Sequence, residues 1–311
     1  MGRERVIGVV REVWRHPVKS LAGERIEATP IERRFGVRGD RAWAIRDVAA
    51  GEIRGGKSFP ALMQLGARYL AEPAAAGGSS SLVEIELGDG RRVRSDDPAV
   101  SALLSERFGR KVELCARPSA EDKDHYLRAR PITDAETEIR TVSELLPEET
   151  IPFSDTPPPV DLSIVGRYVS PPGTYFDFFD LHLVSTRSLE RLAGLAPDSR
   201  IEARRFRPNL VVALEPPREG EASGIGATAT AAGWPELEWG GQVLAIGDAR
   251  LELTMPMMRC GMTTHAQQGL PKDPRIMRTL VRDCAMNLGA GVTVLRAGSI
   301  RAGDEIRIAH D

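Results

Sequence analysis

The sequence predicts a mainly β fold with a few helices. Short runs of alternating apolar and polar residues recur in both halves of the 311-residue chain, and Gly-Asp turns accompany several of them. Helical periodicity is confined to a few short segments. Many short strands joined by tight turns are typical of antiparallel barrels and sandwiches, so we expect one of these two architectures.

The first third of the chain contains several predicted strands. Residues 6–14 and 43–45 are rich in β-forming side chains, and residues 63–70 are a further candidate. Residues 82–87 alternate apolar and polar side chains, and a Gly-Asp-Gly turn then leads into residues 91–94. This arrangement predicts a β-hairpin.

A helix is predicted after this hairpin. Residues 97–108 place apolar side chains on one face, with Asp97 as the expected N-cap and Gly109 as the stop signal. Residues 111–114 are then predicted to form a strand.

The second half is again dominated by predicted strands. Two helices interrupt them, one over residues 186–192 and one starting at Asp273-Pro274. The predicted strands cover residues 181–184, 209–214, 243–246, 250–254, 292–295 and 305–308.

Three stretches rich in Ala, Gly, Ser or Pro are predicted to be loops. They cover residues 71–81, 147–161 and 215–233. The second lies near a predicted domain border, and the third is expected to be a mobile insertion between strands. The chain length allows two domains or one large one.

Composition excludes several broad classes of protein. A net charge of -2 and a pI near 6.3 disfavour nucleic-acid binding. Three dispersed cysteines fit neither a disulfide framework nor an iron–sulfur cluster. The first residues do not form a secretory signal, and no apolar run is long enough to span a membrane, so we expect a cytoplasmic protein.

Cys260 is the strongest candidate for chemistry. It follows a predicted strand, stands beside Arg259, and precedes small and hydroxyl-bearing residues. A thiol in such surroundings can form a thiolate, which acts as a nucleophile or binds a soft metal. The alternative is a buried cysteine that serves only as a small hydrophobic side chain.

Four other segments could bind an anion. Lys19 and Ser20 follow the first strand, and Arg41 follows an aspartate in a turn. Arg207 and Asn209 enter an apolar strand, where a guanidinium could bind phosphate and an amide could read a heterocycle edge. Solvated turns and surface ion pairs are the alternatives.

Ser185 and Thr186 form the fourth segment, at the start of a predicted helix. Hydroxyls and free backbone N–H groups at such a position can bind an anion. The alternative is simple N-capping of the helix.

In order and content, these segments resemble the MOSC family, named for the C-terminal domains of molybdenum cofactor sulfurases. The sequence is similar to bacterial MOSC reductases and to the mitochondrial amidoxime-reducing component. The resemblance rests on residues 16–20, 39–43, 57–60, 206–210, 259–260, 263–264, 287–288 and 298–304. It implies an N-terminal β-barrel-like domain over residues 1–118 and a MOSC β-barrel domain over residues 130–311, best matched at 181–308.

The resemblance also implies a bound molybdenum–molybdopterin cofactor. The cysteine of the family's Arg-Cys motif, here Cys260, would be the catalytic residue and the protein ligand to molybdenum. The residues implied to hold the cofactor are Lys19, Ser20, Arg41, Ser185, Thr186, Arg207, Asn209, Arg259 and Asn287.

The function implied is reduction of small N-oxygenated substrates. Because the chain carries no flavin or cluster motif, electrons would come from a separate donor protein of the ferredoxin, cytochrome or flavin type. Sulfur transfer through a Cys260 persulfide is the first alternative, and a non-catalytic molybdopterin-binding module is the second. No pyridoxal phosphate is expected, because the chain has no desulfurase portion. The dispersed histidines disfavour a zinc enzyme, and the lack of a visible nucleophile elbow or paired base disfavours a serine or cysteine hydrolase.

Overall fold

The computed structural model describes residues 5–76, 80–151, 161–215 and 233–308. The described part is built mainly of strands, as predicted, and its largest unit is a closed barrel of seven strands. These are β1 (Arg5–Arg15), β11 (Leu181–Ser185), β12 (Leu210–Leu214), β13 (Gln242–Ile246), β14 (Ala249–Met258), β15 (Asn287–Arg296) and β17 (Glu305–Ile308).

Strand β1 closes the barrel. It pairs antiparallel with β17 along one edge and with β12 along the other, so the first strand of the chain lies between strands from its second half. Val10 and Val13 of β1 are fully buried in the apolar interior together with Leu183 of β11 and Val292 of β15. Val10 and Val13 are three positions apart, and the register shift between Val10 and Glu12 lets both side chains face the interior.

The remaining strands surround this barrel. Strand β2 (Glu24–Ile26) adds to β1, and three further sheets have three strands each. These strands are β3 (Ala28–Glu32), β4 (Gly36–Val37), β5 (Trp43–Asp47), β6 (Glu52–Arg54), β7 (Gly66–Tyr69), β8 (Val83–Glu86), β9 (Arg92–Arg94), β10 (Val112–Ala116) and β16 (Gly298–Arg301).

Five α-helices accompany the strands of the described residues: α1 (Val100–Phe108), α2 (Ala135–Val142), α3 (Leu162–Arg167), α4 (Thr186–Leu195) and α5 (Arg275–Cys284). Gly109 ends α1 in a left-handed conformation with φ 63°, which confirms the predicted stop. Helix α1 begins at Val100, later than predicted, and Asp97 Oδ1 accepts the N–H of Ala99 in the turn before the helix.

Two details differ from the expected strand pattern. The barrel contains one parallel pair, β11 with β12, because helix α4 crosses over between them and returns the chain in the same direction. Residues 63–70 form a strand only over Gly66–Tyr69, since Pro60 starts a short 3-10 helix that continues to Gln64. The hairpin of β8 and β9 is confirmed.

Much of the predicted loop sequence lies outside the described residues, including residues 216–232 of the expected mobile insertion and residues 152–160 at the expected domain border. Within the described part of the chain, no helix has the length and apolar character needed to cross a membrane. The predicted domain limits of 1–118 and 130–311 stay a prediction.

Candidate cofactor site

Several predicted segments meet at one end of the barrel. The chain leaves β1 at Arg15 and enters β12 at Leu210, and antiparallel pairing places these two points side by side. Strand β14 extends to Met258, four residues further than predicted, and brings Cys260 to the same end. Turns that are far apart in the sequence therefore line one cavity.

Seven of the ten predicted site residues line this cavity. They are Lys19, Ser20, Arg41, Arg207, Asn209, Arg259 and Cys260. The cavity has a volume of about 190 Å³, and it shares Lys19, Lys57 and Asp177 with a neighbouring cleft of about 610 Å³.

The charge of the cavity is strongly positive. Seven lysine and arginine residues line it, against the two carboxylates of Glu138 and Asp177. The cavity is partly shielded from water, so charges interact more strongly there. An anionic ligand would therefore gain more binding free energy in the cavity than at an exposed surface.

Lys19 is buried, and its ammonium group is held by three acceptors. It donates to Ser170 Oγ at 3.2 Å, to the carbonyl of Tyr175 at 2.8 Å and to Asp177 Oδ1 at 2.9 Å. Burial lowers the pKa of Lys19, and the Asp177 carboxylate opposes this effect. Burial also opposes ionisation of Asp177, but Lys19 and Lys57 outweigh it and hold the pKa of Asp177 below its usual range.

Ser20 positions a neighbouring loop. Its Oγ accepts a hydrogen bond from the N–H of Gly56 at 2.8 Å. The next residue, Lys57, thereby lines the cavity, with its Nζ 3.8 Å from Asp177 Oδ2. Asp177 raises the pKa of Lys57, and Cys260 raises it to a smaller extent. Lys57 is therefore a cation that interacts with the Cys260 thiol.

Asp40 is a buried carboxylate that organises Arg41 and Asn209. Its oxygens accept hydrogen bonds from the N–H of His16 at 2.6 Å, from Asn209 Nδ2 at 3.1 Å and from Arg41 Nη1. Asn209 also donates to Trp14 and accepts from the N–H of His182. Its amide therefore joins β1 to the start of β11, in addition to facing the cavity.

Arg207 and Arg259 keep unused donors. Arg207 Nη1 donates to the carbonyl of Leu21, whereas its buried Nη2 has no hydrogen-bond partner among the described residues. Arg259 Nη2 donates to the carbonyl of Phe206 at 2.7 Å, and its buried Nε also lacks a partner in the described part of the chain. Buried donors without partners are costly, so these two guanidinium groups suit a ligand that brings anionic oxygens.

Three cavity residues have left-handed backbones. Ser20, Arg41 and Arg207 have φ values of 67°, 48° and 54°. Each such conformation costs about 1–3 kcal/mol for a residue other than glycine, and it persists where other contacts enforce it. Backbone strain at several neighbouring residues is common at binding sites.

Cys260 is partly buried, and its carbonyl accepts from the N–H and the Oγ1 of Thr263, both at 3.2 Å. These bonds close a single 3-10 turn over Gly261–Thr263 and fix the residue at the strand end. Arg259 and Lys57 both interact electrostatically with the thiol. A thiol so placed can ligate a soft metal or act as a nucleophile.

The other three predicted residues are not among those that line the cavity. Ser185 Oγ caps α4 through the N–H of Ser188 and donates to the buried Glu236, while Thr186 is the first residue of that helix. Asn287 Nδ2 donates to the carbonyl of Ala285 at 2.8 Å. Their predicted contact with the cofactor stays a prediction.

Several cavity residues were missing from the sequence prediction. Lys57 belongs to a motif that carries the family resemblance, but it was not predicted to bind the cofactor. The segment 176–179 supplies Asp177 and three phenylalanines, and the connection through α2 supplies Arg128 and Glu138. Only the run of aromatic residues around Asp177 could have drawn attention to it, because the connection has no pattern of its own.

No group of three or more His, Cys, Asp or Glu side chains that could hold a metal occurs within residues 5–76, 80–151, 161–215 and 233–308. Cys260 with a cationic cavity is a different kind of site. It suits a metal that arrives already bound to an anionic organic ligand, with the protein adding one thiolate.

The fold and the cavity define a β-barrel protein with a cationic, thiol-bearing cofactor site. The family model described as MOSC domain matches residues 174–307, and the MOSC N-terminal beta barrel domain matches residues 7–102. The chain belongs to the MOSC family, whose domains are of a molybdenum-cofactor-binding type.

Two of the solved structures that match the chain share little sequence with it. The crystal structure of the YUAD protein from Bacillus subtilis covers 100% of both chains at 12% identity with a TM-score of 0.46. That of YiiM from Geobacillus stearothermophilus covers 42% of this chain and 55% of its own at 12% identity, with a TM-score of 0.29. No curated protein gave a significant match.

Proposed function

We propose that this protein is a molybdenum-cofactor oxidoreductase that removes oxygen from small N-oxygenated substrates. One observation carries the proposal: Cys260 shares a cavity with Lys19, Arg41 and Arg207, and a buried Arg207 nitrogen there has no partner within the residues that the structure describes. A soft thiolate beside unsatisfied cations suits a metal carried by an anionic pterin.

The cavity residues would make different contacts with the cofactor. The Cys260 thiolate would ligate molybdenum, and Arg207 and Arg259 would donate to anionic oxygens of the cofactor through their unused nitrogens. Arg41 is held in place by Asp40 and contributes its charge. When bound, the cofactor would supply two-electron redox chemistry that no side chain here can perform.

Apolar residues form the other part of the cavity. Phe176, Phe178, Ile139 and Val142 are among the side chains that line it. Such a lining favours a small substrate with an apolar body and excludes water from the reacting atoms.

The overall reaction balances with an external reductant. Reduction of a hydroxylamine breaks the N–O bond, consumes two electrons and two protons, and gives an amine and one water. The electrons would come from a separate redox protein of the ferredoxin, cytochrome or flavin type. In assays, reduced methyl viologen can replace that donor.

The test is metal and pterin analysis of protein made in a host that synthesises the cofactor. Wild-type protein should contain about one molybdenum per chain, as expected for a single thiolate ligand. Cys260→Ala should lose molybdenum and hydroxylamine reduction while it retains pterin. Cys115→Ala is the matched control, because Cys115 is a partly buried free cysteine outside the cavity.

Wild-type protein that contains neither molybdenum nor pterin would refute this function. Labile sulfur on Cys260 after incubation with a desulfurase, without bound molybdenum, would instead support the sulfur-carrier alternative.

A further inference from the structure

All three N–H donors of Lys19 are already used inside the protein. Ser170 Oγ, the carbonyl of Tyr175 and Asp177 Oδ1 accept them at 3.2, 2.8 and 2.9 Å. An ammonium group has three donors and no acceptor. A ligand can therefore gain a hydrogen bond from Lys19 only by replacing one of these partners.

Asp177 is the partner that can leave. Ser170 is buried, and the Tyr175 acceptor is a main-chain carbonyl on a residue with no exposed surface. The Asp177 side chain, by contrast, is 44% exposed. Its neighbours Tyr175 and Phe176 are buried, so rotation of the Asp177 side chain leaves the main chain in place.

A second cation is available to receive the displaced carboxylate. Lys57 Nζ lies 3.8 Å from the other Asp177 oxygen and lines both the cavity and the adjoining cleft. Rotation toward Lys57 would keep the carboxylate paired while it vacates Lys19. Displacement from Lys19 then removes one of the two ion pairs of Asp177 and does not leave its carboxylate without a cation.

We propose that Asp177 is an internal counter-ion of Lys19. A phosphate-type group of the ligand must displace the Asp177 carboxylate before it can bind Lys19. This proposal deepens the proposed function and depends on it only for the identity of the complete ligand. It makes Asp177 a positioning residue that sets the affinity of the site for anions.

The test measures binding of inorganic phosphate by titration calorimetry. The full chain is produced in a host that cannot make the cofactor. Asp177→Asn keeps the shape and one acceptor for Lys19 but removes the competing charge. We expect phosphate to bind about fivefold more tightly, the effect of losing one partly exposed ion pair.

Glu138→Gln is the matched control. Glu138 lines the same cavity and also removes one negative charge when changed, but it makes no ion pair with Lys19 in the described structure. We expect less than a twofold change in phosphate affinity. Equal tightening in both variants would overturn the proposal, because it would show a general field effect.

Lys19→Met supplies the second measurement. If Asp177 acts on Lys19, the gain from Asp177→Asn should shrink by at least half in the Lys19→Met background. An undiminished gain, or unchanged or weaker phosphate binding in Asp177→Asn, would overturn the proposal. Asp177→Ser repeats the test if the asparagine variant folds poorly. Phosphate binding requires no molybdenum, so this result and the metal analysis can fail independently.

Discussion

At the residue scale, the site depends on a buried polar cluster beneath the cavity. His16, Asp40, Arg41 and Asn209 lie where β1 ends and β12 begins, and Asp40 bonds the other three. Burial opposes ionisation of Asp40, but the Arg41 guanidinium and His16 hold its pKa well below the usual range. The cluster thus keeps a fixed negative charge that orients Arg41 toward the cavity.

His16 gives this cluster a measurable dependence on pH. Burial first, and then the charge of Arg207, lower the pKa of His16 to about 3. The unfolded chain therefore binds one more proton than the folded protein between this value and the ordinary histidine pKa of about 6.5. Stability contributed by neutral His16 is complete above that window and is lost as pH falls through it.

We expect the free energy of unfolding to decrease more steeply with acid in the wild type than in His16→Gln. The difference in slope should approach about 1.4 kcal/mol per pH unit, the value for one proton. Urea unfolding of both proteins at several pH values from 7 to 4 measures it. Parallel pH profiles would contradict the assignment of a buried neutral histidine.

At the scale of elements, β15 positions the segment that carries Asp177. A Cβ atom at Gly291 would lie 2.2 Å from Cδ2 of Phe179, so only glycine lets this ring lie against the strand. Phe179 itself lines the cavity, two residues after Asp177. The absence of a side chain on one barrel strand therefore sets the position of one cavity wall.

Gly291→Ala should displace Phe179 and disturb both stability and binding. We expect a loss of about 1–3 kcal/mol in the free energy of unfolding, as for other overpacked positions, together with weaker phosphate binding. Gly194→Ala in α4 is the control, since no described atom beyond its chain neighbours and its own helix backbone lies within 4 Å of the added Cβ. It should be neutral or stabilise by up to about 1 kcal/mol. Urea unfolding and calorimetry measure the two effects, and equal behaviour of both variants would contradict this role of Gly291.

At the scale of the whole molecule, closure of the barrel depends on β1. This strand pairs with β12 and β17, which follow it by about two hundred and three hundred residues. Without it, both strands would present open edges, and the apolar interior that contains Val10 and Val13 would be exposed. The predicted 130–311 domain would then lack one strand of its own barrel.

Expressed alone, residues 130–308 should therefore fail to unfold cooperatively. Arg5 lies opposite Ile308 in the antiparallel pair of β1 and β17, so a short Gly-rich turn can join residue 308 to residues 5–15. This rearranged polypeptide should regain a cooperative transition, monitored by circular dichroism during heating. Cooperative unfolding of residues 130–308 without β1 would show instead that the predicted domain is autonomous.

Local patterns sufficed for much of the secondary structure. The hairpin of β8 and β9, the end of α1 at Gly109 and the strand leading to Cys260 depend on neighbouring residues, and all three were predicted. Ser185 illustrates the limit. A hydroxyl at a helix start can cap the helix or bind an anion, and here it caps α4 and contacts Glu236.

By itself, the sequence determined a mainly β chain and the MOSC family, and it predicted seven of the residues that line the cavity, because strand periodicity, turns and short motifs are local properties. Only the tertiary structure decided that β1 closes the barrel and that Asp177 already accepts a hydrogen bond from Lys19. These relations join residues more than a hundred positions apart. They depend on how strands pair and side chains meet in space, which no local pattern specifies.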